Sequence, residues 1–240
     1  MINTDHPLYR SFSYLSGYLR DGNTAAVIGL TSAYSGTGTS HTARELAMLA
    51  AQYYSLNGGR VALVDFDIAN QTQKAFFDTP VAHSYYGDLT APYDANFGQT
   101  PFWQITDSLT GSNHMQPDDG SAVYGLYLVG DTGLAVTYFD WAQISQEHTV
   151  NIVSAPNYWT AIRQQFSLVI VDCPAFDRSD TAIHLIQDAD SMVLVSSPNN
   201  SHDPRHAEIA SLITQGSGHC AGQIINSGPL QTESYMAPAL

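Results

Sequence analysis

The chain has 240 residues, with 8 Lys plus Arg against 22 Asp plus Glu and a formal net charge of −14, and its single lysine is Lys74. Charged residues make up 12% of the sequence, about half the usual share for a soluble domain, so Ser, Thr, Asn, Gln, His and Tyr must solvate the surface. Such a chain cannot neutralise a run of phosphates, which excludes non-specific nucleic-acid binding and a basic face for anionic lipid.

From the N-terminus, residues 1–22 form the expected N-terminal helix, and MINTDHPLYR lacks the basic-then-apolar layout of a signal peptide. Strand-length apolar runs follow at 25–31, 60–66, 125–130, 166–172, 190–197 and 222–226. They are β-branched and nearly continuous, the pattern of parallel strands covered on both faces. Helix-period stretches lie between them. Residues 40–56 place Leu46, Leu49, Ala50 and Tyr53 on one face and stop at Asn57-Gly58-Gly59. Residues 157–165, 179–188 and 204–215 behave similarly, the last with Asp203 as N-cap and Pro204 at the first helical position. Residues 78–122, dense in Asp, Gly, Pro, Thr and Asn, read as an irregular insertion or lid with a short helical stretch near 101–109, and 229–240 as a short tail. Cys173 and Cys220 read as reduced core thiols.

This alternation predicts one α/β domain over 1–240: a doubly wound, mostly parallel sheet with helices on both faces and its ligand at the carboxyl ends of the strands. No apolar run approaches the roughly 18 residues of a membrane span, so direct membrane insertion is not expected and the expected compartment is the cytoplasm.

Strand 25–31 runs into SAYSGTGTSHTA and then a helix, the context in which backbone amides wrap a phosphate. Gly36, Thr37 and Gly38 would form the nest, with Thr39, Ser40 and His41 opening the helix and the Ser40 hydroxyl placed to bind Mg²⁺. A plain tight strand–helix turn is the competing reading. Against G-x-x-x-x-G-K-[ST], Ala33 stands for the first Gly and Thr39 for the Lys. Two later strands end in carboxylates, VALVDFD with Asp65 and Asp67 and LVIVDCPA with Asp172. Carboxylates at strand ends beside a phosphate loop are where Mg²⁺ and its waters are held.

These segments resemble the MinD/ParA-type deviant Walker ATPases, a branch of P-loop NTPases, and most closely the cytoplasmic module of bacterial tyrosine kinases (BY-kinases, polysaccharide-tyrosine autokinases). PLYRSFSYLSGYL is similar to the family's N-terminal helix, IGLTSAYSGTGTSHTARELA to its phosphate loop, RVALVDFDIANQT to the second Walker motif, FSLVIVDCPAF to Walker B, and DADSMVLVSSPNNS to the strand that follows. The resemblance implies catalytic carboxylates at Asp65, Asp67 and Asp172, an Mg²⁺ site of Ser40, Asp65 and Asp172, and an adenine contact at Asn226. The signature lysine of the MinD/ParA branch falls on Tyr34, only Arg10 survives of the E-x-x-R-x-x-R assembly motif, Ala69 replaces the arginine after the second Asp, and the C-terminal tyrosine cluster is reduced to Tyr235.

One charge-assisted hydrogen bond to phosphate is worth about 1.5–3 kcal/mol, and phosphoryl transfer depends almost wholly on positioned charge. Without the lysine the sequence predicts no tightly bound cofactor, weak Mg-ATP or Mg-ADP binding at most, and no efficient kinase activity. The resemblance then implies a pseudokinase scaffold in bacterial exopolysaccharide or capsule synthesis and export. Its partner would be a membrane polysaccharide co-polymerase or another export protein, which would recruit it to the inner membrane; a homo-oligomer is also compatible. A residual Mg-ATPase or tyrosine kinase using a cation in trans, and a MinD/ParA-like positioning protein of the pilus-localising type, are the alternatives. His202, Asp203, Arg205 and His206 read as a helix cap in a solvated loop rather than a metal pair, and no G-x-S-x-G elbow supports serine-hydrolase chemistry.

Overall fold

The structure, a computed structural model, describes residues 6–18, 24–108 and 123–228. An N-terminal helix α1 (Tyr9–Leu15), continued by a 3-10 turn (Ser16–Tyr18), leads to β1 (Ala26–Thr31), α2 (Thr39–Ser55), β2 (Val61–Asp65), α3 (Gln73–Phe77) and α4 (Pro80–Tyr86). Then come β3 (Tyr93–Asp94), β4 (Trp103–Asp107), β5 (Tyr124–Leu128), β6 (Leu134–Phe139) and β7 (His148–Ile152). The chain closes with α5 (Pro156–Gln165), β8 (Leu168–Asp172), a 3-10 segment (Thr181–Leu185), β9 (Ser191–Ser196), α6 (Arg205–Gln215) and β10 (Cys220–Ile225).

Eight strands form one sheet in the order β10-β9-β1-β8-β2-β6-β5-β3. The pairs from β10 to β6 are all parallel, and β5 and β3 add an antiparallel edge. Successive residues of each central strand serve opposite faces, as the pleat requires. Val27, Ala62 and Val64 join a core with α5, α6 and the aromatic cluster, while Ala26, Ile28, Val61 and Leu63 join the core beneath α1 and α2. Because both faces are covered, β1, β2, β8 and β9 are buried along their whole length. This is the expected doubly wound sandwich with its helices on both sides.

Several local expectations need correction. The stretch near 101–109 is the strand β4, not a helix, and it pairs antiparallel with β7 in a separate two-stranded sheet. Its alternation explains this: Trp103 and Ile105 are buried, while Gln104 between them and Thr106 after them are partly exposed. Phe102, just before it, stacks on Trp159 of α5 with centroids 5.7 Å apart, so this part of the insertion is bound into the core. The insertion also contains α4, capped by the Thr79 hydroxyl and opened by Pro80; its residues 109–122 lie outside the described segments, as do residues 1–5 and 19–22 of the expected N-terminal helix, residue 23 and the tail 229–240. Residues 179–188 hold only a 3-10 segment rather than an α-helix. The strand expected at 125–130 as part of a parallel set is the antiparallel β5, and β6, unanticipated, continues the parallel order beside β2. α6 begins at Arg205, one residue later than expected, and the Asp203 carboxylate accepts the Arg205 N–H at 2.9 Å from outside the helix. Cys173 and Cys220 are both free thiols.

Candidate functional site

The loop between β1 and α2 is built to turn tightly. Gly36 and Gly38 have φ of +78° and +86°, left-handed values that cost little only for glycine. Gly38 precedes α2 directly, and a Cβ there would fall 1.9 Å from the Asn226 amide nitrogen. Asn226 follows β10, is anchored by its N–H on the Ser196 carbonyl at 2.7 Å, and donates from Nδ2 to the Thr37 carbonyl at 3.0 Å. The residue assigned by resemblance to adenine is thus laid across the loop.

The loop's own polar groups are engaged with one another. The Thr37 hydroxyl donates to the Tyr34 carbonyl at 3.2 Å and lies 3.3 Å from the Thr39 hydroxyl, and Thr39 is buried. The Ser35 N–H meets both oxygens of the Asp177 carboxylate at 3.0 and 2.9 Å, and its hydroxyl donates to Oδ1 at 2.8 Å. These bonds hold the Asp177 carboxyl below the usual carboxylate range. Tyr34 donates its hydroxyl to Asp203 at 2.9 Å, and the Arg205 guanidinium lies 5.4 Å from the Tyr34 ring centre. His41 is exposed on the first turn of α2.

Below the loop, β2 and β8 end side by side, with Asp65 opposite Asp172 in register. Both side chains are buried. Burial, and then the charge of Asp172, raise the Asp65 pKa well above the ordinary carboxylate value; burial pushes Asp172 up to about 6 despite a hydrogen bond from Gln73 and the nearby Ser40 hydroxyl. Asp65 Oδ2 accepts the N–H groups of Thr72 and Gln73 at 2.9 and 3.1 Å, while Asp172 Oδ2 accepts Gln73 Nε2 at 2.7 Å. The other oxygen of each, Oδ1, is buried without a hydrogen-bond partner.

Arg44 of α2 is a cation whose charge acts on both carboxylates, and it is buried against the Phe76 ring with its Cζ 3.8 Å from the centroid. It bonds Gln73 Oε1 through Nη1 at 3.2 Å, and burial lowers its pKa. Asp67 makes a separate ion pair with Arg178. Lys74 lies on α3, 3.0 Å from Asp78 and 5.0 and 5.1 Å from the ring centres of Tyr127 and Tyr138. The structure therefore brings together Ser40, Asp65 and Asp172 beneath the Gly36–Thr39 turn, keeps Asp67 in a different contact, and places Lys74 in an aromatic setting of its own.

Carboxylate oxygens beside a serine are the donor type a hard divalent cation takes, but here both unpartnered oxygens are sealed from solvent. The loop above them does not suit a polyphosphate: its amide at Ser35 already holds a carboxylate, Asn226 covers Gly38, and Thr39 supplies no positive charge.

No protein-family model matches the sequence, and a search of curated proteins gives no match. Solved structures do match. The chimerical protein CapA2B2 aligns with a TM-score of 0.56 at 17% identity over 95% of this chain and 88% of its own. The kinase domain of VpsO gives 0.56 at 19% over 91% and 92%, and the cell division ATPase MinD of Pyrococcus furiosus 0.54 at 16% over 88% and 75%. The architecture is that of BY-kinase and MinD domains. At such identities the likeness is one of fold.

Sequence reasoning missed Gln73, Arg44 and Asp177. Arg44 was detectable, since it lies on the same buried side of α2 as Ala43, Leu46 and Ala47, where a charge needs a partner. Gln73 and Asp177 carry no comparable local signal.

Proposed function

We propose that this chain is a catalytically degenerate BY-kinase-like protein, a pseudokinase scaffold acting in bacterial exopolysaccharide or capsule biosynthesis and export through a membrane chain-length-determining partner. The observation that supports this reading is the self-satisfied phosphate loop. Thr39 replaces the lysine, its hydroxyl faces Thr37, and the Ser35 N–H is bound by Asp177. An entering phosphate would have to displace a carboxylate and would meet no lysine. Among the described residues no helix is long and apolar enough to cross a membrane, so attachment to a membrane would come through the partner.

The test is thermal unfolding with and without Mg-ATP, together with titration of the cytoplasmic segments of a chain-length-determining protein. A ligand at 100 times its Kd would add about 2.7 kcal/mol of stability. The scaffold reading expects no nucleotide shift and saturable binding of the partner segment. Stoichiometric nucleotide binding with turnover that Asp172→Asn abolishes would overturn it. The unpartnered Oδ1 atoms of Asp65 and Asp172 favour one second reading, a residual Mg-dependent ATPase or tyrosine kinase that receives its cation from a partner.

A further inference from the structure

Gln73 touches Asp65, Asp172 and Arg44 beneath the loop. Its backbone N–H donates to Asp65 Oδ2 at 3.1 Å, and its side-chain nitrogen lies 2.7 Å from Asp172 Oδ2 and 3.0 Å from the Ser40 carbonyl. The Ser40 carbonyl can only accept, so the amide has one permissible orientation. Its oxygen then meets the Arg44 donor at 3.2 Å, and the whole residue is excluded from solvent. The –NH₂ group therefore lies between the first turn of α2 and the end of β8. The carboxylate oxygens that remain, Asp65 Oδ1 and Asp172 Oδ1, are sealed from water. Mg²⁺ keeps several waters and demands oxygens at about 2.0–2.1 Å in near-octahedral order. A sealed pair with an amide donor on one flank cannot meet that demand.

We propose that Gln73 is the residue that closes the Asp65–Asp172 pair to divalent cations, its side-chain amide standing between Asp172 and the Ser40 carbonyl where a cation and its waters would have to enter. The proposal rests on the reading of this site as a degenerate one and adds the residue that shuts it. Its test needs no nucleotide, so its failure leaves the Mg-ATP result of the scaffold reading separately decidable.

The probe is Mn²⁺ alone, which shares the oxygen preference of Mg²⁺, followed by loss of its free-ion electron paramagnetic resonance signal and by Mn²⁺-dependent melting of the full chain. Gln73→Ala removes the amide; Gln73→Glu keeps its shape and exchanges the donor for a carboxylate oxygen. Since the amide's bond to Asp172 is charge-assisted, its removal should tighten Mn²⁺ binding by roughly 10- to 150-fold. Adding Asp65→Asn to either variant should reverse the gain. Wild-type chain that binds Mn²⁺ as tightly as the variants overturns the proposal, and so do folded variants that bind no better than wild type. Should neither variant fold, Gln73 is a structural keystone rather than a gate and the proposal falls.

Discussion

Replacing Asp172 with Asn should stabilise the protein at neutral pH, although the change strikes the centre of the candidate site. Burial moves the Asp172 pKa from the ordinary 3.8 to about 6. At about 1.4 kcal/mol per pH unit, ionising it inside the fold costs about 3 kcal/mol more than ionising it in the unfolded chain. The sign follows from proton counting. Between the two values the folded state holds more of the proton, so this group's contribution is fully favourable below about pH 4 and is lost as pH rises through 6. The amide introduced by Asp172→Asn cannot ionise, yet its carbonyl can still accept from Gln73. The variant should therefore melt roughly 6–12 °C above wild type at pH 7.5, taking 2–4 °C per kcal/mol for a chain of this size. The advantage should vanish near pH 4. Calorimetric melts of both proteins across pH 4–8 in a metal chelator measure it. If Asp172→Asn melts at or below wild type at pH 7.5 and the two pH profiles run parallel, the reasoning from burial is wrong.

Three further outcomes are expected. Thr39→Lys combined with Asp177→Ser should raise affinity for ADP by about 10- to 150-fold in calorimetric titration, whereas Thr39→Lys alone should gain less because Asp177 still holds the Ser35 N–H. Arg163→Met should cost about 3–5 kcal/mol in urea unfolding, since the guanidinium is paired with the buried Asp190 and also bonds the carbonyls of Ala25 and Asp188. Phe102→Ala should cost about 3–5 kcal/mol, because the ring is fully buried among Trp159, Tyr124 and Tyr158 and links the insertion to the main core.

The central strands were legible because burial on both faces writes itself into composition: β1, β2, β8 and β9 are runs of Val, Ile, Leu and Ala with almost no polar interruption. The strand β6 was not, because Thr137 and Tyr138 break the run. Thr137 is nonetheless fully buried, its hydroxyl accepting the Asp65 N–H at 3.0 Å, a long-range bond that no local window contains. β4 alternates over too few residues to be told from one turn of helix. At the site, the strand-end acids and the glycine turn follow from local pattern and chain order. What occupies them does not: Asp177 reaches Ser35 across 142 positions of sequence, and Gln73 reaches Asp172 across 99.

The shortage of positive charge acquires a spatial meaning in the fold. Arg44, Arg178 and Arg205 all lie near the loop or the strand ends, yet each is already engaged: Arg44 with Gln73 and Phe76, Arg178 with Asp67, and Arg205 with the Phe176 carbonyl and the Tyr34 ring. Around them stand Asp65, Asp67, Asp172, Asp177 and Asp203, so carboxylates outnumber guanidinium groups at the one place where this architecture would receive a triphosphate. A nucleotide would have to release an arginine from an existing contact and then bind against a net negative field, with screening helping only at the exposed rim. Mg²⁺ could offset two of those charges, but Gln73 covers its approach. On the scaffold reading, a nucleotide site therefore takes changes at both levels, positive charge in the loop and an opening beneath it, and either change alone leaves the opposing term in place.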